Sequence, residues 1–153
     1  MKILLDFDGV MVTTPTWRTV ECLEDGFMAF NESCAGYLAS VLAITQADIV
    51  LTTTHRIHYD NEVWRQLLHN RGIVTNKVTK VNQAETFAEL SIRHLEVLQW
   101  VNANPNENYV IIDDDKSLRE LSSAIKSRWI ETDFYAGFTG VGMEQALDVL
   151  LVE

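Results

Sequence analysis

Short apolar runs alternate along this chain with longer stretches of helical periodicity. Residues 2–6 (KILLD), 48–52 (DIVLT) and 109–113 (YVIID) are near-continuous apolar segments ending in Asp or Thr. They are too short for helices, and their lack of polar alternation is the mark of strands covered on both faces. A further strand is expected within 73–81 (IVTNKVTKV) and a weaker one over 128–131 (RWIE). Helices are expected between them. Residues 33–44 follow the cap candidates Asn31 and Ser33 and place Tyr37, Leu38, Val41, Leu42 and Ile44 near one face. Residues 61–71 carry Val63, Trp64, Leu67 and Leu68, with Gly72 as the stop. Residues 91–101 repeat Ile92, Leu95, Leu98 and Val101, and 142–150 supply Met143, Ala146, Leu147 and Leu150. Strands alternating with helices predict an α/β fold, a Rossmann-like α/β/α sandwich around a mainly parallel, five-stranded sheet.

Composition narrows the picture. The 153 residues suit one domain over 1–153, and no repeat, low-complexity tract or linker divides them. The start MKILLDFDGV lacks the charged lead and apolar run of a secretion signal, and no apolar stretch approaches the roughly 20 residues of a membrane span. A cytoplasmic location is expected, with Cys22 and Cys34 reduced and acting as apolar filler. Lys and Arg number 12 against 22 Asp and Glu, a net charge of −10, which disfavours a general nucleic-acid binder.

The chemistry collects at strand ends. The first run closes on Asp6 and Asp8, the second on Thr52 to Thr54, and the fourth on Asp113 to Asp115. Parallel strands bring these ends to one edge, where ligands of open α/β sheets bind. Crowded carboxylates raise each other's pKa unless a cation is present, and an oxygen-only donor set suits a hard ion, Mg²⁺ above all where a phosphate is also bound. Strand alternation sends Asp6 and Asp8 to the same side, so that one can act as nucleophile and the other as acid or base. Gly9 relieves the bend that follows.

These residues resemble the signatures of the haloacid dehalogenase-like (HAD) phosphohydrolase superfamily, in that family's order. DFDGV at 6–10 is similar to the first, IVLT ending in Thr52 to the second, and VIIDDD ending in Asp113 and Asp114 to the fourth. The third, a lone basic residue near a helix start, is best matched by Arg93, with Lys77 and Lys80 as rivals. The resemblance implies a Mg²⁺-dependent phosphatase of the small capless type. Asp6 would form an aspartyl-phosphate, Asp8 would serve as general acid and base, Thr52 would hydrogen-bond the phosphoryl group, and Arg93 would offset its charge. Mg²⁺ would be held by Asp6, the Asp8 carbonyl, Asp113 and Asp114. Asp114 is favoured as a direct ligand, and Asp115 as a turn or capping residue.

Gly9, Thr53 and Arg56 are candidate substrate contacts, although a Thr run followed by Arg is equally an ordinary polar lead-in to a helix. His55 and His58 lack a third ligand nearby and predict no metal site. Of the tryptophans, only Trp17, in the loop after the first motif, is placed to touch substrate. The segments between Val10 and Asp48 and between Ile73 and Arg93 are too short for a folded cap, so the site should be open to a small or macromolecular phosphorylated substrate, with loop 13–25 as a candidate lid. The acid excess disfavours nucleic acid except as a phosphorylated end. Two alternatives stand beside the phosphatase: a slow or non-catalytic phosphate- or metal-binding module acting through a partner, and a phospho-acceptor domain similar to response-regulator receivers.

Overall fold

The computed structural model describes residues 1–152. Five strands, β1 (Lys2–Leu5), β2 (Asp48–Leu51), β3 (Val78–Lys80), β4 (Tyr109–Asp113) and β5 (Trp129–Glu131), form one sheet in the order β3-β2-β1-β4-β5. Every pairing is parallel. Parallel neighbours need crossover connections, and these carry the helices α1 (Glu32–Thr45), α2 (Asn61–His69), α3 (Arg93–Ala103), α4 (Ser123–Lys126) and α5 (Gly140–Leu151).

Alternation along the strands divides the core in two. Ile3 and Leu5 join α1, α2 and α5 on one face, while Leu4, Val50 and Ile111 pack against Val97 and Trp100 of α3 and Ile125 of α4 on the other. The Rossmann-like three-layer architecture follows, with β1, covered on both faces, at its centre. Among the described residues, no large cap interrupts it.

Element ends follow local chemistry. Asn31 caps α1 by accepting the Ser33 and Cys34 amides, Asp60 caps α2 through the Val63 amide, and Thr139 starts α5 two residues ahead of the expected position by accepting the Gly142 amide. Helix α4 was not foreseen, since a single turn capped by Ser122 carries no readable periodicity. The largest departure is α3. The expected apolar stripe fails at Ile92 and Leu95, which are exposed, whereas Arg93, Glu96, Val97 and Trp100 face inward. Two buried charges on the inward face are tolerated because each finds a partner of opposite sign on another element.

The loop after β1 is tied down. Phe27 and Phe30 enter the core, and the Arg71 guanidinium lies over both rings while pairing with Asp25 at 2.7 Å. Arg71 also donates to the Met28 and Leu67 carbonyls. The 25–30 end of the loop is therefore a strap over the core, and residues 21–23 are tied to it by the Leu23 amide on the Phe27 carbonyl and the Ala29 amide on the Glu21 carbonyl. No helix among the described residues is long and apolar enough to cross a membrane.

Candidate functional site

The site lies where the sheet changes direction. Connections run outward from β1 through β2 to β3 on one side and from β4 to β5 on the other, leaving a crevice beyond the carboxyl ends of β1 and β4. Leu5 pairs with both Leu51 and Ile112, so the next residues, Asp6, Thr52 and Asp113, stand side by side. The Asp6 amide donates to the Ile112 carbonyl at 3.2 Å and the Thr52 amide to the Leu5 carbonyl at 3.0 Å, carrying the ladder one step past the strands.

Three carboxylates and one guanidinium meet there. Asp6, Asp113 and Asp114 each offer an oxygen, all within 4.8 Å of one another. Arg93, at the first position of α3, hydrogen-bonds Asp113 and comes within 3.6 Å of Asp6. Thr52 is fully buried and its hydroxyl donates to Asp113 at 3.4 Å. Burial raises the Asp6 carboxyl to about 6 against the opposing pull of Arg93, with Asp114 and then Asp8 adding smaller repulsions. Burial and the Asp6 charge lift Asp113 to about 7 despite its pairing with Arg93. Asp114 rises to about 6 for the same reasons, burial first and Asp113 second. Burial disfavours the Arg93 charge as well, but Asp113 and Asp6 outweigh it and keep the guanidinium ionised.

This donor set fits a hard divalent cation. It is all oxygen, it combines two buried acids with a half-buried one, and one guanidinium leaves three carboxylates under-compensated. The Asp113 oxygens are already engaged, one by the Asp115 amide and the other by Arg93 and Thr52, whereas Asp114 is more open to solvent. Asp115 caps the 3₁₀ turn Lys116–Glu120 by accepting the Ser117 amide.

The rival bases lie elsewhere. The Lys77 carbonyl pairs with the Ile49 amide at the amino end of β3, the opposite edge of the sheet, and the Lys80 amine donates to the Tyr59 carbonyl. Arg56, expected at the substrate, is instead fully buried behind the edge. Its guanidinium donates to the Thr52 and Thr53 carbonyls, to Asn82, and to Glu96 at 2.5 Å. Those partners hold both terminal nitrogens, with Nε left unpaired among the described residues, so it braces the strand end that carries Thr52. Thr53 is also buried, its hydroxyl accepting the His55 amide as the cap of the 3₁₀ turn Thr54–His58. Glu96 was not legible as a site residue. It joins Arg56, Asn82 and, at 3.8 Å, the Arg93 Nε, linking the second-strand loop to the basic residue.

Beyond Asp6 the chain turns sharply. Phe7 plunges into an aromatic cluster with Phe27, Phe30 and Trp64, which leaves Asp6 and Asp8 on the edge. Gly9 adopts φ +79°, and a Cβ there would lie 2.5 Å from the Asp114 Cγ and 3.0 Å from the Phe134 ring. Only glycine fits, because both the dihedral and the close approach exclude a side chain. Its role is thus to let the loop pass over Asp114, while its carbonyl accepts the Thr132 hydroxyl at 2.7 Å. Asp8 is half exposed and hydrogen-bonded to the His55 ring at 2.8 Å. The sequence signal for His55 lay in its position three residues after Thr52, and the absence of a third metal ligand drew attention away from a pairwise role.

No curated protein and no solved structure matches the chain. The family model for the HAD domain in Swiss Army Knife RNA repair proteins, in contrast, matches residues 2–141, a span that takes in the whole edge from Asp6 to Asp114, and the chain belongs to that family.

Proposed function

We propose that the protein is a Mg²⁺-dependent phosphohydrolase that removes a terminal phosphate from RNA by way of an aspartyl-phosphate on Asp6. The observation that carries this reading is the Asp6 carboxylate held level with Thr52 and Asp113 and faced by Arg93. An Asp6 oxygen attacks phosphorus as the bond to the leaving oxygen breaks, and Asp8 gives that oxygen its proton. Asp8 then takes a proton from a water that attacks the phosphoryl group, releasing inorganic phosphate and restoring Asp6. Thr52 and Arg93 hydrogen-bond the equatorial oxygens, where charge builds as the groups separate. His55 acts as a positioning residue that holds the Asp8 carboxyl toward the site. Asp6, Asp113, Asp114 and the Asp8 carbonyl are the groups that would hold Mg²⁺, which would supply charge neutralisation at the phosphate.

Two considerations favour an RNA end over a small metabolite. The family is described by its place in RNA repair proteins, and the edge has no large cap to enclose a small substrate. The test is release of inorganic phosphate from 3′- and 5′-phosphorylated single-stranded RNA and from glycerol phosphate, with Mg²⁺ or with chelator. Metal-dependent release is expected, lowered at least about 10⁴-fold by Asp6→Asn and about 10²- to 10⁴-fold by Asp8→Asn. Turnover unchanged in Asp6→Asn would overturn the reading, and a stable acyl-phosphate without turnover would turn it to a phospho-acceptor.

A further inference from the structure

Two exposed rings and a half-buried one flank the acidic edge on the Asp114 side. Trp64 and Trp100 are buried in the core, but Trp17 is 73% exposed and Tyr135 61%. Their rings are neighbours, with centroids 6.5 Å apart, and Phe134 follows Tyr135 at 5.3 Å. Isolated exposed apolar residues are ordinary, whereas a contiguous aromatic surface beside a site points to a ligand. Phe134 is also the ring against which Gly9 passes, so the row runs from solvent to the Asp114 carboxylate.

The row borders a cleft of ≈ 540 Å³ lined by Asp114, Lys116, Arg119, Phe134 and Tyr135 among others. Of the acids on its wall other than Asp114, Glu131 pairs with Arg119 at 2.9 Å, and Asp133 accepts the Tyr135 and Ala136 amides. Lys116 is exposed and, among the described residues, forms no ion pair. Aromatic rings tilted 48° and 77° to one another, each offering its own face, with a free cation alongside, match a nucleobase and its phosphate, since bases stack on aromatic rings regardless of sequence.

We propose that Trp17, Tyr135 and Phe134 form a stacking platform for the last one or two nucleobases of a single-stranded RNA whose terminal phosphate enters the Asp6 edge. The proposal rests on the phosphohydrolase reading for the group at Asp6, but the platform binds through its rings whether or not turnover occurs. The net charge of −10 restricts the contact to this local patch, so the grip is short and made mainly by stacking. Binding should therefore vary only shallowly with salt, with a slope of about −1 in log K against log salt, as for one or two phosphates.

The test measures binding of dye-labelled, 3′- or 5′-phosphorylated single-stranded RNA by fluorescence anisotropy in chelator, alongside turnover with Mg²⁺. Trp17→Ala and Tyr135→Ala are each expected to weaken binding about tenfold, and Trp17→Phe to restore most of it. Wild type should bind an oligonucleotide with abasic terminal nucleotides as poorly as those variants bind the intact one. Single-stranded DNA should show the same dependence on Trp17, because stacking does not read the 2′-hydroxyl. Phe87→Ala removes an equally exposed ring on the Asp8 side, beside His58, and should leave binding within about twofold. Equal RNA binding by wild type and Trp17→Ala, equal losses in Phe87→Ala and Trp17→Ala, or dependence on Trp17 for a phosphopeptide but not for RNA would each overturn the platform. Binding that depends on Trp17 without phosphate release would overturn the phosphohydrolase reading alone. Phosphate release from RNA with the same KM in wild type and Trp17→Ala would overturn the platform alone.

Discussion

Two regions of the molecule hold buried or half-buried acids against an arginine, and they do so to opposite effect. At the strap, the Arg71 guanidinium hydrogen-bonds Asp25 through both of its terminal nitrogens and pulls that carboxyl well below the usual carboxylate range, with Asn70 and the Phe27 amide adding further donors. At the strand edge, three acids share Arg93 and all three are pushed up. One carboxylate with a surplus of donors is a closed structural contact. Three with a deficit of positive charge form a site that gains from a cation and from a reaction that consumes negative charge.

The contrast breaks most visibly through Glu96, which supports the edge from behind. Glu96→Ala strips the buried Arg56 of its carboxylate and should cost about 3–5 kcal/mol, the usual penalty for orphaning a buried charge. Denaturant unfolding measures this, and Glu96→Gln, which keeps an acceptor for Arg56, should recover part of the loss. Asp25→Asn at the strap should cost less, about 2 kcal/mol, because Asp25 retains some exposure and Arg71 keeps its carbonyl partners. Phosphate release should change little in folded Asp25→Asn, since the strap reaches the edge through the packing of Phe27 and Phe30 against Phe7 and His55, not through the Asp25 carboxyl. A large loss of activity there would mean that the two regions are coupled.

A smaller effect separates His55 from the strap. Because its ring meets Asp8 at 2.8 Å, His55→Ala should lower kcat about tenfold with little change in KM, and His55→Asn, which restores a hydrogen bond, should recover part of it. Unchanged kcat would reduce His55 to packing against Phe7 and Phe27.

The two regions should also respond to pH in opposite windows. Asp6, Asp113 and Asp114 have folded pKa values above their unfolded ones, so their contribution is fully present below about pH 4 and is lost as pH rises through about 6 to 7. Asp25 has a lowered value, so its contribution is present above about pH 4 and is lost as pH falls further. Thermal melts of metal-free protein should show the edge's penalty growing from pH 5 to 8, worth a few degrees. Asp114→Asn should flatten that trend, and Mg²⁺ should reverse it. Asp25→Asn should differ most from wild type above pH 4. A metal-free Tm that climbs steadily through pH 8, with no effect of Asp114→Asn, would refute the mutual repulsion of the edge acids.

Strand ends were readable because a run such as YVIID carries its own boundary: apolar residues stop where the chain leaves the sheet, and the acid marks the exit. The order of Asp6, Thr52, Arg93 and Asp113 could likewise be followed along the chain, since parallel strands joined by helices turn that order into neighbours at one edge. Arg56 and Glu96 were not readable. An arginine after a threonine run reads as a substrate contact or a polar lead-in to a helix, and a glutamate amid Ile, Leu and Val as a solvent-facing residue, until the partner that neutralises each is seen. The same blindness misdirected α3, where periodicity pointed Leu95 inward and the ion pairs turned Glu96 inward instead.

Local information therefore accounts for the α/β alternation, the capped helix starts, the turn at Gly9 and the inventory of acids, because each depends on residues a few positions apart. Which acid meets Arg93, which arginine is withdrawn behind the strands, where His55 meets Asp8 and how Trp17 comes beside Tyr135 are decided only when distant segments pack. Those contacts join residues up to 118 positions apart, as Trp17 and Tyr135 are, and their strength depends on the burial that packing creates.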